Sequence, residues 1–300
     1  TTTGTVGLRS GDNNSTLQDS TLNAEKSILN LNDQQKTTDS GNNTYSLSLN
    51  LRRKLAKKGR SISFDGGMGR TDATTRYNIL SSVFGRDLQL LTDRSVFQDQ
   101  EQNSDNSYYN LSLSYTEPVA RDLFLSATAA RRNNNNDIIK DFYDINPDII
   151  TFREFNEALS RSFDNTFVYN TVGTSLRLNK ETYSASAGLD FQNSNLDGKP
   201  SVGEPINRPF NYFLPRANVE IDKLNMRINY STSVREPSID QLQPVVDNSV
   251  PLNVYKGNPG LVPEYRHNLR ISYNFFDQFN FRGLFANVRL GYTKNRITTS

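Results

Sequence analysis

About ten short stretches of this chain alternate apolar and polar residues one position at a time. Tyr45, Leu47, Leu49 and Leu51 are set against Ser46, Ser48, Asn50 and Arg52. Leu224, Met226, Ile228 and Tyr230 are set against Asn225, Arg227, Asn229 and Ser231. Successive side chains on a strand point to opposite faces. Each stretch therefore predicts a strand with one apolar face and one face of Ser, Asn, Thr and Arg. A soluble sandwich would turn the polar face outward. A membrane-spanning barrel inverts this, with the apolar face on lipid and the polar face lining a wet lumen.

Composition favours the inverted arrangement. Only 35% of the 300 residues are hydrophobic, and the mean hydropathy is −0.66. A soluble all-β domain of this length needs an apolar content nearer the roughly 45–50% of globular chains. A barrel with a wet lumen has no apolar core to fill. The charges nearly balance, 34 Lys+Arg against 32 Asp+Glu, so nothing points to nucleic acid as a partner. The absence of Cys removes disulfides, thiolate metal sites and cysteine nucleophiles.

No run approaches the roughly 18 apolar residues of a transmembrane helix. A tilted barrel strand crosses with roughly 9–11 residues, only half of them apolar. The N-terminal TTTGTVGLRS has no signal-peptide pattern. For an exported protein this predicts a chain that is mature or cut from something longer.

The strands are predicted at about 44–56, 60–69, 106–117, 121–132, 165–178, 182–193, 211–222, 224–235, 265–276 and 284–297. Short links join them in pairs: Lys57-Lys58-Gly59, Pro118-Val119-Ala120, Asn179-Lys180-Glu181, Asp222-Lys223 and Asp277 to Gly283. Between pairs lie long polar connections at about 70–105, 133–164, 194–210 and 236–264, with another at about 10–43. Tight periplasmic turns alternating with long extracellular loops are the asymmetry of an outer-membrane barrel. The fold class expected is all-β, an antiparallel meander forming part, about 10–11 strands, of a large transmembrane β-barrel. Tyr45, Tyr109, Tyr115, Tyr183, Phe191, Tyr230, Phe275 and Tyr292 near the ends of the apolar stripes suggest aromatic girdles, although Tyr and Phe are enriched in strands generally. Residues 149–159 carry Ile149, Phe152, Phe155 and Leu159 at a spacing that suits one or two helical turns.

The most distinctive segment runs from Tyr230 to Arg270. Arg235-Glu236-Pro237-Ser238 with Gln241-Leu242, and then Gly257-Asn258-Pro259-Gly260-Leu261-Val262-Pro263-Glu264, resemble TonB-dependent receptor barrels. The second piece is similar to the signature G-N-P-x-L-x-P-E. With Leu242-Gln243-Pro244 and Asp247-Asn248, the pattern resembles the outer membrane protein beta-barrel family of those receptors. Tyr115-Thr116-Glu117-Pro118 and Lys57-Lys58-Gly59-Arg60-Ser61 are similar to that family's periplasmic turns. The chemistry suits a stiff arch. Gly257 and Asn258 tolerate positive φ, and Pro259 and Pro263 each fix φ and remove a donor. Glu264 is then placed to open the next strand with its charge toward water or the lumen.

The resemblance implies a barrel of roughly 22 strands around a plug. No stretch resembles the plug or the segment that contacts TonB, and Ile297-Thr298-Thr299-Ser300 is not the usual aromatic terminus. The whole of residues 1–300 is therefore expected to be an internal piece of a receptor barrel in the outer membrane of a Gram-negative bacterium. The implied partners are outer-membrane lipid, a small scarce solute and the TonB-ExbB-ExbD complex, reached through the missing plug. A surface lipoprotein is a further candidate partner. Siderophore-iron, glycan, peptide and cobalamin importers share such a wall. A passive porin-like barrel and a soluble adhesin are the alternatives.

Neither a cofactor nor an enzymatic constellation is expected. His267 is the only His and reads as a solvated polar residue at a strand start. Asp137, Asp141, Asp144 and Asp148 lack the glycine and bidentate Glu of a calcium loop. Gly66-Gly67-Met68-Gly69 precedes no helix and reads as a strand end. Arg235, Gln241 and Asn258 are the candidate polar contacts to solute or plug. Pro237, Ser238, Gly257, Pro259, Pro263 and Glu264 are the motif that holds them.

Overall fold

The computed structural model describes residues 2–22, 28–85, 87, 89–91, 95–146, 149–237, 239–242, 246–247 and 255–298. Its strands are β1 (Thr2–Leu22), β2 (Ile28–Lys54), β3 (Ser61–Gly85), β4 (Val96–Ala120), β5 (Leu123–Asn146), β6 (Ile149–Phe155), β7 (Arg161–Asn179), β8 (Tyr183–Pro200), β9 (Ile206–Ile221), β10 (Met226–Arg235), β11 (Val246–Asp247), β12 (Tyr255–Lys256), β13 (Glu264–Asp277) and β14 (Arg282–Lys294). A 12-stranded sheet follows the order β1-β2-β3-β4-β5-β7-β8-β9-β10-β13-β14, with β6 paired to β5. β11 and β12 form a separate small ladder. The sheet is an open antiparallel meander in which sequence neighbours pair, as expected.

The register sorts the two faces. Directly opposed residues of an antiparallel ladder share a face. One row reads Leu113, Ala129, Val172, Phe191, Phe213 across β4 to β9. Another reads Leu125, Leu176, Ala187, Ala217, Tyr230, Leu269, Leu290 from β5 to β14. The opposite face reads Ser112, Ala130, Thr171, Gln192, Tyr212, and at the far edge Asn229, Arg270, Arg289. Large apolar side chains of the first face stand uncovered: Leu111 is 44% exposed, Val172 57% and Phe213 62%. A face this apolar, left open over most of the strands, requires an apolar solvent.

The aromatic tiers show how the strands lean. Through Asn133 and Val168, Tyr109 on β4 stands level with Asn195 on β8, yet the β8 aromatic is Phe191, four residues nearer the short turns. At the other end, Tyr115 stands level with Leu189 through Ala127 and Thr174, and Tyr183 lies six residues further down. A drift of about five residues of roughly 3.3 Å, over three strand spacings of roughly 4.8 Å, is a tilt of about 45–50°. That is the stagger a closed transmembrane barrel needs.

The structure corrects the loop boundaries. The strands are 27 residues long in β2 and 25 in β3 and β4, far more than a crossing requires. Most of 10–43, 70–105, 133–164 and 194–210 is ladder, and among the described residues the stretches 156–160 and 201–205 remain outside the strands. Alternation is written only where one face meets an apolar medium. Beyond that band both faces are wet, so Asn133-Asn134-Asn135-Asn136 carries no period, while backbone pairing continues. Residues 149–155 form β6 rather than helical turns, because the β-branched run Ile149-Ile150-Thr151 suits an extended chain that pairs with the end of β5. Gly66, Gly67 and Gly69 lie inside β3, not at its end. There a Cβ would meet Asn110 Oδ1 at 2.5 Å from Gly67 and Tyr108 Cε1 at 2.6 Å from Gly69, so the glycines make room for β4 side chains.

At the short-turn end, Glu117 joins the two turn motifs singled out in the sequence. Its carboxylate accepts Lys57 Nζ at 2.6 Å, Arg60 Nε at 2.6 Å and the Tyr115 hydroxyl at 2.6 Å. The Arg60 and Lys57 bonds, with Tyr115, hold the Glu117 carboxyl well below the usual carboxylate range. Gly59 sits in this turn at φ +88°, and a Cβ on it would fall 2.8 Å from Phe124 Cε1. Gly59→Ala is therefore expected to lower barrel stability by roughly 1–3 kcal/mol, read as a shifted urea midpoint with an unchanged slope.

Candidate functional site

Toward the long-connection end, the apolar phase of several strands flips to the other face. In β7 the outward series Val172, Thr174, Leu176 gives way to Phe163, Phe167 and Tyr169 on the polar-face parity. In β8 and β9 the same switch brings in Leu196, Ile206 and Phe210. Phe163, Phe167, Tyr169, Leu196 and Ile206 are buried together, and Leu242 joins them from the segment between β10 and β13. Phe210 and Leu261 pack on the same cluster. This connection thus leaves the rim of the sheet and folds onto the lumen face of β7–β9.

Its backbone is closed on itself. Ile239–Leu242 makes a single helical turn, and Leu242 is fully buried. Asn258 N–H donates to Gln241 O at 2.6 Å, Leu261 N–H donates to Asn258 O at 3.3 Å, and Asn258 Oδ1 accepts Gly260 N–H at 2.7 Å. These bonds tie the first half of the motif to the second. Pro237, Gly257 and Pro263 are buried, Pro259 is half-buried, and Ser238, Pro244 and Pro251 lie outside the described residues. Positive φ angles fall on turn residues such as Asp122 and Asn225, not on Asn258.

Arg235 and Glu264 are Cα partners where β10 and β13 begin to diverge. Arg235 is exposed on the lumen face. Glu264 has the lumen-face parity expected of it, but its side chain is buried. Its carboxylate accepts Ile297 N–H at 2.9 Å and Arg266 Nε at 3.0 Å. The glutamate of the motif is thus a brace between the start of β13 and the chain beyond β14.

Three functional candidates escaped the sequence reading: Glu236, Tyr169 and Arg132. The Tyr169 hydroxyl faces the Glu236 carboxylate. The Arg132 guanidinium lies over the Tyr169 ring, 5.9 Å from its centroid. With Asn110, Ser112 and Gln192 they line a pocket of about 330 Å³ on the lumen face. The arrangement offers one cation, one carboxylate, two amides and two hydroxyls, a set suited to holding a polar solute. The signal that could have found Tyr169 is the phase flip itself.

His267 is not a solvated strand start. It shares the lipid-facing parity with Leu269 and Ile271, its Nδ1 is 2.9 Å from the Tyr230 hydroxyl, and its ring lies 4.9 Å from Tyr265 and 5.8 Å from Tyr292. Asp137, Asp141 and Asp144 run along β5 instead of gathering in a loop, and Asp148 lies outside the described residues. Asp144 accepts Gln98 Nε2 at 3.0 Å and Asn156 Nδ2 at 2.7 Å.

The outer membrane protein beta-barrel family matches residues 53–300, most of the chain. The chain belongs to that family. The outer membrane is therefore its location, and lipid is the apolar solvent that the open face requires. No curated protein matches it in sequence. Among solved structures it is similar to the ferric yersiniabactin uptake receptor FyuA from Yersinia pestis, at 12% identity over 96% of this chain and 54% of that one, with a TM-score of 0.41. The ferric citrate transporter FecA in its unliganded form gives 10% identity, 97% and 54% coverage and a TM-score of 0.39. BauA, the ferric preacinetobactin receptor from Acinetobacter baumannii, gives 10%, 95% and 56%, and 0.36. The family member described here spans little more than half the length of each of these chains.

Proposed function

We propose that this chain is wall and binding face of a TonB-dependent importer that takes up a scarce small solute. The observation that supports this most is the connection between β10 and β13. It is locked by Leu242 and Asn258 onto the lumen wall, beside a polar pocket that it helps to line through Glu236. A preformed, rigid site loses little entropy on binding. In this proposal a plug carried elsewhere in the receptor occupies the lumen, and TonB-ExbB-ExbD supplies the energy through it. Siderophore-iron, glycan, peptide and cobalamin remain the candidate solute classes, and transport rather than catalysis is the role. Arg235 and Gln241 serve as polar contacts to solute or plug, while Asn258 contributes through the loop it braces.

Uptake of radiolabelled solute by intact cells tests this. Arg235→Ala is expected to lower uptake at least fivefold with the amount of folded barrel unchanged, and a protonophore should abolish what remains. Uptake insensitive to the protonophore would point to a passive barrel. Uptake unaffected by Arg235→Ala would leave that residue architectural.

A further inference from the structure

The lipid-facing surface carries a groove of about 600 Å³ across β1 to β5, at the level of the outer aromatic tier. Val6, Tyr45, Leu47, Met68 and Tyr109 make one end apolar, and Asn133 and Asn135 make the other end polar. Tyr109 leads directly to Arg131, whose Nε donates to the Tyr109 hydroxyl at 3.2 Å and whose Nη1 donates to Asn170 Oδ1 at 3.1 Å. Arg131 is exposed, stands opposite Leu111 on the apolar face, and has no carboxylate partner among the described residues. Arg70, at the upper lip, differs: Asp72 at 2.9 Å and Asp105 at 2.6 Å neutralise it.

An unneutralised arginine among lipid-facing residues is costly unless an anion meets it. Its guanidinium has five N–H donors, of which the two bonds named use two. A groove that is apolar at one end and amide-lined at the other, with that arginine beside it, has the polarity of a single amphiphile. A protein partner would need a polar rim on all sides. We infer that the groove binds one outer-leaflet lipid, its acyl chain along Val6, Tyr45, Leu47 and Met68 and its headgroup phosphate on Arg131. The groove opens on the lipid-facing side of β4 and β5 and the solute pocket on the other side of the same strands, with Arg131 bordering both.

The receptor carrying this chain would be purified from outer membranes in mild detergent and washed extensively. Phosphate-bearing lipid per folded receptor is then measured by extraction and mass spectrometry, folding being scored by heat-modifiable migration. Wild type should retain about one such lipid. Arg131→Gln should reduce it at least fivefold, and Arg131→Lys should retain it. Gly4→Phe should also displace it, because Gly4 lines the apolar end and a Cβ there has nothing nearer than 4.0 Å. Wild-type receptor free of lipid, equal lipid in all four proteins, or a second protein in the groove would each overturn the assignment.

Discussion

Ile228→Arg is expected to cost the assembled barrel roughly 2–4 kcal/mol, the penalty for a cation at the lipid-facing midplane. Ile228 pairs with Ile271, which lies four residues from His267 in one aromatic tier and four from Phe275 in the other. The row continues through Val219 on β9 and Val288 on β14, so no polar neighbour shelters the charge. Urea unfolding in lipid vesicles checks the magnitude. Arg at Leu284, on the same face and opposite Phe275 in the second aromatic tier, should cost no more than about 1 kcal/mol. Equal effects at the two depths would mean that this face does not cross a bilayer.

The second large effect is expected at Leu242. Its side chain is fully buried among Phe163, Phe167, Tyr169, Leu196 and Ile206. Leu242→Ala removes the apolar anchor of the connection, and large-to-small changes at such sites cost roughly 2–5 kcal/mol. The helical turn it belongs to has four residues, too few to persist unaided. The loss should therefore fall on docking of the loop rather than on the sheet. Amide exchange in 236–263 should rise, solute affinity should fall at least tenfold, and the unfolding midpoint of the barrel should stay fixed. A midpoint shift of the same size would make the loop part of the wall's cooperative unit.

Period-two patterning revealed the strands because lipid demands one apolar side chain at every second position, as in Leu111, Leu113 and Tyr115. The turns at Gly59 and at Asp222-Lys223 were equally legible, since they leave few choices of backbone, but β4 continues through the expected turn Pro118-Val119-Ala120 and reverses at Arg121-Asp122, where Asp122 takes the positive φ. The outer halves of the strands were not. Thr37-Thr38-Asp39-Ser40 pairs as regularly with β3 as Leu47 does, yet water on both faces erases the period. The motif at Gly257–Glu264 could be read as a stiff arch from its prolines. That Asn258 would use its side chain to hold Gly260, and Glu264 to hold the chain beyond β14, depends on contacts across the fold. Tyr169, Arg132 and Glu236 lie on three separate elements, and only folding of the connection onto β7–β9 brings them together.

A nitroxide scan along β4, from Tyr109 to Thr116, tests the central claim most directly, and the absence of native Cys in this chain keeps single-cysteine labelling clean. In the membrane-assembled receptor, labels at Leu111, Leu113 and Tyr115 should collide with dissolved oxygen, and labels at Asn110, Ser112 and Ser114 with a water-soluble nickel chelate. The two accessibilities should alternate out of phase with a period of two. Equal accessibility to the chelate on both faces, or a loss of the alternation, would contradict a lipid-facing wall enclosing a wet lumen.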